Sequence, residues 1–155
     1  RVGLVEFGHY LSFVPPTSGG RQWYRILGSL SRSRALKRYV SYEIGSIPRR
    51  ILSSRALIIA FTGLLDGRFV PALFDLKRRG FDVVVVYVSP FPLFERWTQE
   101  KNPSARSIAT AIWRIEHQRQ IEELLDAGLP VARWNHREPL DVVIREINAV
   151  RNRRL

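Results

Sequence analysis

The pattern of apolar and polar positions is most informative between residues 55 and 90. Two unbroken apolar runs, ALIIAF at 56–61 and VVVVYV at 83–88, flank one amphipathic stretch. Runs without polar alternation fit strands covered on both faces, the usual state of a parallel sheet. Between them Phe69, Val70, Leu73, Phe74 and Leu76 recur at helical spacing. Lys77, Arg78 and Arg79 then precede Gly80, placing cations at the negative pole of the helix and a residue free to take positive φ just beyond it. The pattern predicts a βαβ unit with a right-handed crossover. A buried helix followed by a hairpin is the rival reading.

Upstream, VGLVEF at 2–7 reads as a strand, Gly8-His9 as a tight turn and YLSFV at 10–14 as a second, antiparallel strand stopped by Pro15 and Pro16. Thr17-Ser18-Gly19-Gly20 is a turn into a helix over 21–30, with Trp23, Ile26, Leu27 and Leu30 on its core face. A second helix is expected over 35–44, resuming through 47–52. Downstream, 89–102 reads as a long loop with room for one helical turn. It carries Phe91, Phe94 and Trp97, which either fold onto the core or form a contact patch. Asn102-Pro103 opens a long helix to 127, with Ile108, Ala111, Ile112, Ile115, Leu124 and Leu125 as its apolar stripe. A strand at 129–134 and a last helix carrying Leu140, Val143, Ile144, Ile147 and Val150 complete the chain. This order predicts a three-layer α/β/α sandwich, a single domain over 1–155, with a mostly parallel sheet and one antiparallel edge strand.

Composition narrows the class. The chain has 155 residues, 45% hydrophobic and 25% charged, which suits a globular domain with a real core. No run approaches a membrane span, no secretory signal is visible and cysteine is absent, so a cytoplasmic location is expected. The first residue is Arg and methionine is absent, so the chain is expected to be truncated at its N-terminus, and an upstream membrane anchor stays open. The net charge is +11, and only Lys37, Lys77 and Lys101 among 25 basic residues are lysine. That excess reads as an archaeal or thermophilic bias toward arginine on solvated faces. The alternative is a nucleic acid partner held by Arg32, Arg34, Arg38, Arg49 and Arg50.

Candidate chemistry is sparse. His9, His117 and His136 follow no metal-ligand spacing. Asn135 and His136 come just after a strand's carboxyl end, where open α/β sheets bind ligands, and also read as an ordinary polar loop. The 17–20 turn lacks the lysine and the glycine spacing of a phosphate loop. Glu116, Glu122 and Glu123 lie among Arg114 and Arg119 and read as intrahelical pairs. No nucleophile has a partnered base, so a non-enzymatic role is expected.

Four segments carry a family resemblance: VGLVEFG at 2–8 with the proline and glycine stretch behind it, ALIIAFTGLLD at 56–66, RRGFDVVVVYVSP at 78–90, and Arg114-x-Glu116 continuing through Leu124, Ala127-Gly128, Val131 and Trp134 to Pro139-Leu140. In order and spacing they resemble the von Willebrand factor A-like domain of an uncharacterised prokaryotic family whose genes often neighbour MoxR-type AAA+ ATPases. The resemblance implies a Rossmann-like sandwich and a magnesium ion held by an Asp-x-Ser-x-Ser motif on a first strand, which would lie upstream of Arg1. It also implies a second ligand carboxylate after Thr62, where this chain has Gly63. Asp66 is then either a ligand turned inward or the cap of a helix beginning near Gly67. No cofactor is expected in this chain by itself. The implied function is a protein–protein interaction module, with an AAA+ ATPase as possible partner and rim residues Thr62, Asp66, Phe91, Phe94, Trp97 and His136. The gap left by the first strand would be closed by rearrangement or by a homodimer.

Overall fold

The computed structural model describes residues 1–7, 12–33, 52–53, 56–97, 103–135 and 137–152. The chain divides into two compact units, Arg1–Ser53 and Ser54–Leu155. The helix expected over 35–44 lies outside the described residues.

In the first unit β1 (Val2–Glu6) pairs antiparallel with β2 (Ser12–Thr17) as a two-stranded sheet of its own, not as an edge of the parallel sheet. β2 does not stop at Pro15 and Pro16 but runs through them. The register passes from Leu4↔Val14 to Val2↔Thr17, so β2 holds an extra residue there. This bulge accommodates two residues that cannot donate to the ladder. Gly3 faces it closely: a Cβ at this position would lie 2.9 Å from the Val14 carbonyl oxygen.

Helix α1 (Gly20–Arg32) turns a different face inward from the one its apolar residues suggest. Trp23, Leu27 and Leu30 are exposed, whereas Gln22 is buried. The Gln22 amide donates to the carbonyls of Val2 (2.6 Å) and Pro15 (2.8 Å), and its oxygen accepts from the Thr17 hydroxyl (2.7 Å). One polar side chain fastens the helix to both strands of the hairpin. A buried amide with all its partners is well tolerated there.

The second unit runs β3 (Leu57–Thr62), α2 (Phe69–Arg78), β4 (Asp82–Val88), α3 (Phe91–Trp97), α4 (Pro103–Asp126), β5 (Val131–Trp134) and α5 (Leu140–Asn152). Its three strands form a parallel sheet in the order β3-β4-β5, with Leu57↔Asp82 opening one ladder and Val85↔Val131 the other. The predicted βαβ unit is present. α2 ends as its sequence directs: Gly80 takes φ +87°, its N–H donates to Lys77 O, and Phe81 N–H donates to Leu76 O.

β4 is the centre of the sheet, and Val83, Val84, Val85 and Val86 are all buried. On one face Val84, Val86 and Ala132 pack under Val143 and Ile147 of α5. On the other, Tyr87 meets His117 of α4. β3 does not share this double cover: Ala60 is buried, but Leu57, Ile59 and Phe61 on the α5 side are exposed. An edge strand can therefore be as apolar as a central one. α4 also departs from its expected stripe. Leu124 is buried as expected, but Ile108, Ile112, Ile115 and Leu125 are exposed, and the other inward residues are His117 and Ile121. None of the described helices is long and apolar enough to cross a membrane.

Candidate functional site

Because β3, β4 and β5 are parallel, Thr62, Val88 and Trp134 end on one rim. Ligands of open α/β sheets gather at such a rim.

The turn after β3 is built from short local contacts. The Thr62 hydroxyl accepts from Leu64 N–H at 3.0 Å. Leu64 is held at φ +52°, unusual for a side chain of this size, with its side chain 2% exposed. Asp66 Oδ1 accepts from Arg68 N–H at 3.0 Å, and its two oxygens accept from the Arg68 guanidinium at 2.6 to 3.2 Å. Those charge-assisted bonds hold the Asp66 carboxyl below the usual carboxylate range, against the opposing effect of its partial burial. Asp66 thus orders the turn before α2; it is not the residue that caps the helix, which starts at Phe69 rather than near Gly67. Thr62 and Asp66 are both engaged in local hydrogen bonds. Among the described residues no group of three histidines, cysteines or carboxylates could hold a metal ion.

After β4 the chain forms a helix, α3, where the sequence suggests mainly a loop. Phe91 is buried, its ring 4.8 Å from Trp113 and 5.3 Å from His117. Phe94 lies 5.2 Å from Trp113. These edge-to-face contacts fold both phenylalanines against α4, Phe91 buried and Phe94 half-buried. The spacing of 91 to 94, matching one helical turn, was the signal for this, together with Trp113 and His117 one turn apart on α4. Trp97 closes α3; His136 lies outside the described residues.

His117, weighed in the sequence only for metal-ligand spacing, has a structural place that its spacing did not show. It is 3% exposed, with Nδ1 3.0 Å from Trp113 O and Nε2 3.1 Å from Gly63 O. It ties α4 to the turn after β3 and offers no nitrogen to a ligand.

Beside α4 an open groove of about 960 Å³ runs along the carboxyl ends of β4 and β5. Arg114, Arg133, Tyr87 and Ser89 line it, with Glu122 and Glu138 at other points of the wall. Arg114 stands over the Phe91 ring, 4.6 Å from its centroid. Arg133 donates to Gln118 Oε1 (3.1 Å), and the Gln118 amide donates to Glu122 (2.8 Å). Burial pushes the Tyr87 hydroxyl up from its ordinary range, opposed by the Ser89 hydrogen bond and by the charges of Arg133 and Arg114.

Above the β3 end, Phe61 is 52% exposed and meets Trp134 edge to face at 6.3 Å. The Trp134 indole donates to Glu138 O at 3.0 Å, which fixes the ring. Of the arginines suggested for nucleic acid, Arg32 is exposed at the end of α1; Arg34, Arg38, Arg49 and Arg50 lie outside the described residues.

Comparison with protein-family models, with curated proteins and with solved structures finds no significant match to this chain.

Proposed function

We propose that this chain is a protein–protein interaction module, similar to a von Willebrand factor A-like domain, that engages a MoxR-type AAA+ ATPase through the carboxyl rim of its parallel sheet. The observation that carries this reading is the Phe61–Trp134 pair. An aromatic ring half in water, braced by an indole that is itself hydrogen-bonded, is the kind of rigid anchor that dominates interface energetics. Leu57 and Ile59 extend the apolar surface along β3. Support for the sheet half of this reading comes from the parallel register of β3 and β4. In this reading the rim works through apolar and arginine contacts, since Thr62 and Asp66 are spent on their own turn.

The test is sedimentation velocity of the chain with a purified MoxR-type AAA+ ATPase. Co-sedimentation that is abolished by Phe61→Asp supports the reading; separate boundaries at micromolar concentrations of both proteins contradict it.

A further inference from the structure

Helix α1 is held to its hairpin by a polar side chain, and its largest apolar residues take no part in that attachment. Gln22 is buried and spends its amide on the Val2 and Pro15 carbonyls and its oxygen on the Thr17 hydroxyl. Trp23, Leu27 and Leu30 repeat at i, i+4 and i+7, so they share one stripe of the helix. All three are exposed, Trp23 at 64%, and Tyr24 beside them is exposed at 73%. Large apolar side chains gathered in water on one helix face mark an interaction site.

The other side of α1 carries charge of one sign. Arg21, Arg25 and Arg32 repeat at i, i+4 and i+11, a second stripe, and all are exposed. Arg21 and Trp23 are two residues apart, which sets the stripes roughly 200° apart around the axis. α1 contains no aspartate or glutamate, so no carboxylate of the helix offsets these arginines. A nucleic acid would take the arginines and leave Trp23, Leu27 and Leu30 in water. A second copy would cover the leucines but bring its own arginines alongside, in a chain that already carries +11. An anionic bilayer satisfies both faces: the apolar stripe enters among the headgroups, and tryptophan and tyrosine suit that boundary. Because a helix is about 10 Å across, arginines on its far side stay within about one Debye length of the headgroups, and their long side chains bend toward them.

We propose that α1 docks on an anionic membrane surface, lying in the plane of the interface with Trp23, Leu27 and Leu30 among the lipids and Arg21, Arg25 and Arg32 held by acidic headgroups. The helix has 13 residues and lies on the bilayer without spanning it. The carboxyl rim of the parallel sheet has no part in this contact.

Co-sedimentation of the full chain with vesicles of equal parts phosphatidylglycerol and phosphatidylcholine, and with vesicles of phosphatidylcholine alone, tests this. Binding is expected to the anionic vesicles, falling with added salt, and at least about tenfold weaker to the neutral ones. Trp23→Ser combined with Leu27→Ser should weaken it at least about tenfold, and Arg25→Gln about fivefold. These side chains are exposed and leave Gln22 and its bonds untouched, which an unchanged far-ultraviolet spectrum verifies. Ile112→Ser, at an exposed apolar residue of α4, should change nothing. Absence of binding to anionic vesicles, or binding that survives both α1 variants, overturns the proposal, as does an equal loss in Ile112→Ser. A chain that ignores vesicles but binds duplex DNA through Arg25 overturns it in favour of nucleic acid. One that ignores vesicles but self-associates until Trp23 and Leu27 are replaced overturns it in favour of a second copy.

Discussion

The Nε2 atom of His117 lies 3.1 Å from the main-chain oxygen of Gly63, although the two residues are 54 positions apart. This contact joins the middle of α4 to the turn that follows β3. The other ring nitrogen faces Trp113 O in the preceding turn of the same helix. A neutral imidazole donates from one nitrogen only, so the ring serves one carbonyl at a time and both only when protonated. Replacing His117 with Leu keeps the volume close but withdraws the donor. A loss of about 1 kcal/mol is expected, since a part-buried carbonyl loses its donor. Urea denaturation of both proteins measures it, and hydrogen exchange should quicken in the turn at 63–66. Equal midpoints would show that the contact is idle.

The βαβ unit was legible because two signals agreed: unbroken apolar runs for the strands, and a 3.6-residue stripe closed by cations and Gly80 for the helix. The faces of the other helices were not legible by the same rule. Counting apolar residues selects Leu124 on α4 correctly, but it also selects Ile108, Ile112 and Ile115, which are exposed, and misses His117 and Ile121, which are buried. In α1 the buried residue is Gln22, whose worth lies in three hydrogen bonds rather than in apolar area. Hydrophobicity marks which residues can be buried, not which neighbours they find. The groove escaped for a related reason: Arg114 and Gln118 lie on α4 but Arg133 lies on β5, so they line one groove only through the fold.

The inward stripe of α4 makes a direct comparison possible. Leu124 is fully buried, so Leu124→Ala should cost about 3 kcal/mol through lost contacts and a residual cavity. Ile112→Ala, on the exposed face, should stay within about 0.5 kcal/mol. Thermal or chemical denaturation separates the two; similar costs would mean that α4 is rotated from the arrangement described.

Asp66 and Arg68 give a pH signature. Because the folded-state carboxyl is depressed chiefly by its hydrogen bonds with Arg68, the pair contributes stability above the ordinary carboxylate range. That contribution is lost as pH falls through the lowered folded value. Arg68→Gln should therefore be less stable than the parent at neutral pH, with the difference closing in acid. A difference that stays constant from neutral pH into acid would separate Asp66 from Arg68.

Tyr87 should titrate late. Its hydroxyl is raised mainly by burial, so its phenolate absorbance should develop above the ordinary tyrosine range. For a raised group, the associated stability is complete below the unfolded value and is lost as pH climbs through the folded one. Tyr87→Phe removes the late phase if it belongs to this residue; a late phase that survives the substitution belongs elsewhere.

The reading of the rim as the working face is tested most directly by the affinity of three proteins for a MoxR-type AAA+ ATPase, measured by fluorescence anisotropy. These are the parent chain, Phe61→Ser at the carboxyl rim, and Arg78→Ser at the opposite end of the sheet, where α2 leads into β4. The account predicts equal binding by the parent and Arg78→Ser and at least about tenfold weaker binding by Phe61→Ser, as for loss of an aromatic anchor. No binding by the parent, or the same affinity for all three, would contradict it.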